Sequence, residues 1–529
     1  MYFFKTISAF FTISLFFFCK GQVPNYSTNF LGQQNLLWEI RNDSTSHYDV
    51  NVLPVFGRDA LKYKAASTLN VFRDHSRSHN YCKSFWKKGK PFFSVSNSEN
   101  LIAFDPIFEF SDGVGRYFTN IRGARMYGQI SKVLGFYSEL QEIQMHLPDY
   151  VDSLSALQNG ALPYLGRSRV FKGSGYDLSF SEAYFNFSIK NNIRVNFGKM
   201  KNFVGSGIRS LLLSDFANNY LNLKLHLNVW RFNLVSLFSE YQNYPQLIAN
   251  GSNWIIKRKY GAHHYLSYKF GNRLTLGLFE SVIFDRGNGL TNESFDLNYV
   301  NPFLFYRSAE YYIGSPDNAL VGLNGNYKLS DNSILYGQLV LDEFNVDSLL
   351  KENEQWWGNK YGYQLGFKSN KFFIDKLSFT AEWNSVRPFT YSYRTRLLSY
   401  SHDSQPLGHL LGSNFRELLV DMNYNIKRWT FNWRSVWYKK GYDSGSVSMG
   451  GDILKSYNAR NSNFGHFIGQ GDSRQIFYTS FHLQHTFDRG IGLFGAFTLR
   501  HQNSASLSSA DLMWRTGLRW NLNHRFLDF

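Results

Sequence analysis

From about Asn100 to Phe529 the chain is a string of short segments in which apolar and polar residues alternate one for one. In YLNLKLHLNV, Leu221, Leu223, Leu225, Leu227 and Val229 share one parity, and Asn222, Lys224, His226 and Asn228 share the other. A period of two is that of an extended strand, whose successive side chains point to opposite faces. In a soluble sandwich the leucines would face a core and the polar set water. In a membrane barrel the leucines face lipid and the polar set lines the lumen. The segment alone supports both readings, so the rest of the chain must separate them.

The first residues, MYFFKTISAFFTISLFFFCKGQ, place Lys5 before an apolar run that ends at Phe18 and is followed by small residues. This is the layout of a secretory signal peptide, cleaved after Gly21. Acylation at Cys19 is the competing reading, and the bulky Phe17 and Phe18 argue against it. Export leaves Cys82 as the single cysteine, so neither an intramolecular disulfide nor a cysteine-cluster metal site is expected. After Phe18 no long uncharged apolar run occurs, and the mean hydropathy is −0.33. Both exclude a helical membrane protein but suit a barrel, half of whose strand residues are polar. Aromatics make up 18% of the 529 residues, an excess that interfacial girdles would use. The formal net charge of +16 points, for an exported chain, to anionic glycolipid or acidic polysaccharide rather than nucleic acid; the plainer account is a solvated basic lumen and rim.

Residues 22–98 alternate poorly and carry the basic stretch KSFWKKGKP, so they read as a short periplasmic N-terminal segment. Residues 99–529 read as the barrel. In FNFSIKNNIRVNFGK, Phe185, Phe187 and Ile189 continue past an Asn191-Asn192 turn into Ile193, Val195 and Phe197. The segments 273–284, 362–368, 376–386, 475–487 and 492–501 repeat the texture, as in a meander of antiparallel strands. Longer polar insertions are expected at 152–179, 243–257, 345–359, 394–413 and 442–472. Short turns at one end and long loops at the other are the asymmetry of outer-membrane barrels. The predicted fold is therefore an all-β, transmembrane antiparallel barrel of about 18 strands, an even number with both termini periplasmic. Near the C-terminus, Arg515-x-Gly517-x-x-Trp520-x-Leu522 resembles the terminal-strand signal read by the barrel assembly machinery.

Several polar stretches exceed ordinary alternation. They supply a candidate lumen cluster of Arg307, Glu310, Asp317, Asn318, Asp342, Glu343, Glu382, Arg387, His402, Gln405, His409, Glu417, Asp452 and Arg460. Acids, guanidiniums and amides beside aromatics suit a saccharide. The same residues also suit Arg–carboxylate crossbridges that plug a wide barrel and need no ligand, the commoner use of such groups. Scattered histidines and the adjacent His402-Asp403-Ser404 give neither a metal spacing nor a usable triad, so no enzyme, metal or cofactor is expected. Gly205 and Gly207 precede no Lys-Ser pair, which rejects a phosphate loop and leaves a tight inter-strand loop around Arg209.

The ordered motifs RGARMYGQISKVLGFYSELQEIQ, GKMKNFVGSGIRSLLLSDFANNYLNLKL, HHYLSYKF, LGLFESVIF, NPFLFYRSAE, GSPDNALVGLN, QLVLDEF, RPFTYSY, QPLGHLLGSNFREL and IGQGDSRQ resemble the RemB-type gliding-motility outer-membrane proteins. Those are similar in turn to Wzi-type capsule-assembly barrels. The resemblance covers most of residues 100–529 and brings no catalytic residue. It implies a non-enzymatic outer-membrane component that aids gliding or handles exported polysaccharide. The implied partners are outer-membrane lipid and lipopolysaccharide, surface polysaccharide, gliding-machinery proteins and, during biogenesis, the barrel assembly machinery. A porin-like diffusion channel for small solutes is the alternative.

Overall fold

The computed structural model describes residues 91–529 apart from 98–99, 116, 132–133, 159, 190–191, 251–252, 288–294, 302–316, 343–354, 488–489, 506–507 and 523–526; before 91 it describes 19–21, 38, 41–42 and 51–53. The signal sequence up to Phe18, Cys82, most of KSFWKKGKP, and the candidates Arg307, Glu310 and Glu343 lie outside the described residues.

The alternating segments become eighteen antiparallel strands of one closed wall: β1 Leu101–Val114, β2 Phe118–Ile130, β3 Leu134–His146, β4 Gly175–Ile189, β5 Ile193–Met200, β6 Tyr220–Val229, β7 Phe232–Asn250, β8 Asn253–Phe270, β9 Leu274–Phe284, β10 Asn318–Ser330, β11 Ser333–Leu341, β12 Tyr361–Ser369, β13 Leu377–Val386, β14 Phe415–Ile426, β15 Trp429–Tyr442, β16 Asp472–Thr486, β17 Ile491–Ser504 and β18 Ser508–Trp520. Each strand pairs with the next, and β18 closes on β1 in the register Trp514↔Val114 to Trp520↔Phe108. The connections at one end are short, such as 131–133, 190–192, 230–231, 271–273, 331–332 and 427–428. At the other end lie the long connections 147–174, 201–219, 285–317, 342–360, 387–414 and 443–471. The expected asymmetry, strand number and meander are all present. The expected insertion at 243–257 is not a loop: β7 and β8 stay paired to Asn250↔Asn253, with a register shift between Asn243 and Leu247. The insertion at 152–179 is partly helical, as α1 spans Asp149–Leu157.

On β6, Asn222, Lys224 and His226 are buried toward the inside, and the leucines face out, with Leu221 43% exposed. Leu365 at 63% and Phe481 at 52% show the same belt elsewhere on the wall. In water such a continuous apolar surface would be costly, whereas lipid is its natural cover.

The inside is filled. The β5–β6 connection, residues 201–219, does not stay at the rim as a tight loop but turns into the lumen. Its Leu211, Leu212 and Leu213 are at most 1% exposed. Burying three leucines is worth roughly 5–9 kcal/mol before ordering costs, which is why this stretch leaves water. Residues 387–414 fold in beside it: Ser214 N–H donates to the Leu407 carbonyl (2.7 Å), and the Tyr391 and Tyr400 hydroxyls donate to the Leu211 and Leu212 carbonyls (2.7 Å each). The N-terminal segment reaches the same place. Val52–Leu53 pairs with Phe203–Val204, the Gly205 N–H donates to the Asn51 carbonyl (2.7 Å), and Trp38 packs on Ile334 and Tyr336.

Candidate functional site

The inward positions of four consecutive strands, β11 to β14, grip the lumen loop, and β15 joins them through Asp528. Gln338 on β11 accepts the Leu211 N–H (2.8 Å) and donates to the Val204 carbonyl (2.9 Å). Gln364 on β12 donates to the Arg209 carbonyl (3.1 Å). Glu382 on β13 accepts the N–H groups of Ile208 and Arg209, the latter at 3.1 Å, and the Tyr336 hydroxyl at 2.6 Å. Gly207 is required between them, because a Cβ there would run into the Glu382 carboxylate and lie 2.9 Å from the Tyr336 ring.

Arg209 is the centre of this grip. Its guanidinium is 3.4 Å from Glu417 on β14 and 3.0 Å from Asp528, which folds back into the lumen. Asp528 also meets Arg434 on β15 (3.0 Å), and Arg434 meets Asp421 (2.8 Å). Burial by itself would lower the Arg209 pKa, but Asp528 and Glu417 outweigh it and raise it above its ordinary value. Burial would likewise raise Asp528, and Arg209 and Arg434 hold it below the usual carboxylate range. His409, in the inward loop, sets its Nε2 2.8 Å from Glu417, and its Nδ1 accepts the Leu411 N–H (3.1 Å). With Nδ1 an acceptor, Nε2 carries the proton and the ring is neutral; burial agrees, pushing its pKa down against the pull of Glu417.

The eleven described candidates therefore do not form one cluster. Glu382, His409 and Glu417 surround Arg209 deep in the lumen. A second set holds the long loops together. Asp317 takes two bonds from Arg286 (2.9 and 2.8 Å), and Asn318 donates to the Leu398 carbonyl (2.8 Å). Asp342 accepts the Tyr391 N–H (2.6 Å), and Arg387 donates to the carbonyls of Asn359, Trp356 and His466 (2.8, 3.3 and 3.2 Å). His402 accepts the Gln242 N–H (3.1 Å), and Gln405 accepts that of Asn218 (3.0 Å) while donating to the Leu162 carbonyl (2.6 Å).

Asp452 and Arg460 form a third group, in the connection at the mouth. Asp452 accepts the Leu454 N–H (2.9 Å). Arg460 lies 3.9 Å over the Trp357 ring and donates to Asn463 (3.1 and 2.9 Å). Trp357 packs on Tyr457 at 4.7 Å, Tyr457 meets Tyr393 at 5.9 Å, and the Lys360 ammonium is 4.2 Å from the Tyr457 ring. Phe464 and Phe467, 49% and 54% exposed, belong to the same connection as Tyr457 and Arg460. Flat aromatic faces next to cations and amides can stack on sugar rings and bind hydroxyls or carboxylates. Trp357, Tyr457 and Lys360 were not among the site candidates; the pair of tryptophans at Trp356-Trp357 in a polar insertion was the available signal.

No protein-family model and no curated protein sequence matches the chain. Among solved structures it is similar to Wzi of Escherichia coli, described as an outer membrane protein involved in group 1 capsule assembly and a carbohydrate binding β-barrel. The identity is 12% and the TM-score 0.56, over 95% of this chain and 100% of that one. OprD of Pseudomonas aeruginosa matches at 11% identity and TM-score 0.41, over 81% and 95% of the two chains. OccAB2 of Acinetobacter baumannii matches at 11% and 0.43, over 80% and 97%. At these identities the likeness is one of fold: the Wzi-like closed barrel.

Proposed function

We propose that the chain is a non-enzymatic outer-membrane barrel that binds or anchors surface polysaccharide, with its long-loop end outside the cell and the Trp357–Tyr457–Arg460 stack as its sugar-facing surface. The filled lumen carries this reading. A diffusion channel needs a continuous water path, and here a leucine-rich loop held by four strands is packed inside the barrel. Such a plug turns the barrel into a rigid support for the loops at its mouth. The likeness to a carbohydrate-binding barrel supports the same reading, as do the motifs resembling RemB-type proteins; a gliding role would follow from handling surface polysaccharide.

The test uses a deletion strain complemented with wild type or with Trp357→Ala and Arg460→Ala combined, probed with a fluorescent lectin. Loss of surface polysaccharide with material shed to the medium, at normal protein levels, is the expected result for both the deletion and the double variant. Full retention in the deletion strain would refute the polysaccharide role, and a gliding defect without polysaccharide loss would place the protein in the motility machinery alone.

A further inference from the structure

The outer wall carries a feature that the plugged lumen does not explain. Arg416 on β14 and Lys439 on β15 stand directly opposite each other. They point away from the lumen, since their neighbours Glu417 and Lys440 are buried inside. Arg416 is the second residue of β14 after a long connection, so the pair sits at the long-loop end. Directly below on the same face come Leu418 and Trp437, 42% and 38% exposed, where the apolar belt begins. Like charges facing across a strand pair destabilise it. Elsewhere on the wall an outward cation meets an acid: Arg258 is 3.3 Å from Glu240, and Arg122 is opposite Glu142. Among the described residues, neither Arg416 nor Lys439 has an ion-pair or hydrogen-bond partner for its side chain. Their flanking partners are Ser385 on β13 and Gln475 on β16, both able to donate and neither charged. The Ser385 hydroxyl is buried and unbonded among the described residues.

A second observation lies lower on the same strands. An open, almost wholly apolar groove of about 550 Å³ is bounded by Met422, Phe431, Trp433, Phe481, Phe497 and Trp514. Its floor is Gly495, where an added Cβ would meet nothing within 4 Å. From Arg416 to Met422, the near edge of the groove on β14, the strand descends about 20 Å along its axis, or roughly 15 Å in depth at a barrel tilt near 40°. That is about half of a 30 Å hydrocarbon core, the depth of one leaflet.

We propose that this wall binds a phosphorylated acyl glycolipid of the outer leaflet, with its phosphate between Arg416 and Lys439 and an acyl chain running down β14 to β17 into the groove at Gly495. The guanidinium forks onto phosphate oxygens while the flanking ammonium and the exposed Gln475 amide complete the shell. This anion would relieve the cation pair that the protein itself leaves uncompensated. The inference is independent of the polysaccharide reading and needs only the long-loop end to be the outer one.

The experiment is native mass spectrometry of the purified full chain in detergent micelles, with bis-phosphorylated lipid A, dephosphorylated lipid A or inorganic phosphate as probes. Wild type is expected to retain bis-phosphorylated lipid A, and Arg416→Ala with Lys439→Ala to lose at least tenfold in retention. Gly495→Phe, which fills open space, should lose several-fold while keeping a heat-modifiable fold; Arg258→Ala should change nothing. Equal retention by the folded double variant, or of dephosphorylated lipid A by wild type, would overturn the proposal. Displacement of lipid A by an equal concentration of inorganic phosphate would also overturn it, leaving a simple anion site.

Discussion

Replacing Glu382 by alanine isolates what holds the lumen loop. The carboxylate accepts three donors that have no water to turn to: the Ile208 and Arg209 N–H groups and the Tyr336 hydroxyl. Each buried donor left without an acceptor costs about 1–3 kcal/mol, so Glu382→Ala should weaken the docked loop by about 3–6 kcal/mol, allowing for some re-pairing. At 1.4 kcal/mol per factor of ten, the opened loop becomes roughly 10² to 10⁴ times more populated. Glu382→Gln should fall between, because its amide oxygen still accepts while its NH₂ confronts a donor. The assay is hydrogen exchange of the peptide spanning residues 205–213 in micelles, where local opening sets the rate. Strand peptides such as 475–486 should keep wild-type protection. Unchanged protection of 205–213 in Glu382→Ala would refute the claim that this residue latches the loop.

Arg209→Ala leaves the buried Glu417 without a cation and Asp528 with Arg434 alone, and should cost about 3–5 kcal/mol, read as a lower urea midpoint in micelles. His409 is held neutral, with Glu417, Arg209 and Lys440 as the charged groups around it. Its folded pKa lies below its unfolded one, so the unfolded state binds more protons as pH falls below about 6.5; its contribution is full above that pH and is lost on acidification, and His409→Gln should remove that part of the pH dependence of unfolding. Wild type should be silent in planar bilayers, whereas deletion of residues 205–213 should give discrete conductance steps; steps of the same size in both would restore the channel reading. Trp357→Ala with Arg460→Ala should reduce binding of an acidic polysaccharide to whole cells about tenfold without altering lumen-loop exchange.

The wall was legible because alternation is a local property: each of the segments 273–284, 362–368 and 376–386 falls on a strand within a residue or two. The β7–β8 hairpin was misjudged where it runs beyond the belt, since there no lipid enforces apolar alternation and the ladder is interrupted between Asn243 and Leu247. From its glycines the lumen loop reads as a tight inter-strand loop. Its signal was Leu211-Leu212-Leu213, three apolar residues in a row inside a connection, which a solvent-exposed loop would not carry. The candidate acids and arginines stand out from ordinary alternation, but the sequence does not assign them to depth. Arg387 follows Glu382 by five residues, yet it ties carbonyls of two long connections to its own while Glu382 latches the plug. Asp528 and Arg434, which complete the charge chain around Arg209, are brought there by long-range folding that no local pattern records.

The loop between β5 and β6 also sets an order of events. Its partners Gln338, Gln364, Glu382 and Glu417 lie 127, 155, 173 and 208 residues further along the chain. When the first six strands have emerged, none of these four exists to hold the loop, and it waits through the synthesis of five to eight further strands. Contacts at such separation form late and slowly. During that wait the nascent chain exposes a sticky tripeptide beside unpaired strand edges, the species most prone to aggregate. The loop hangs from the long-loop end of β5 and β6, so it can fold in from the mouth or the open seam only once β11 to β14 stand in the wall. The interior of this barrel is thus a timing constraint on its assembly as much as a barrier to solutes.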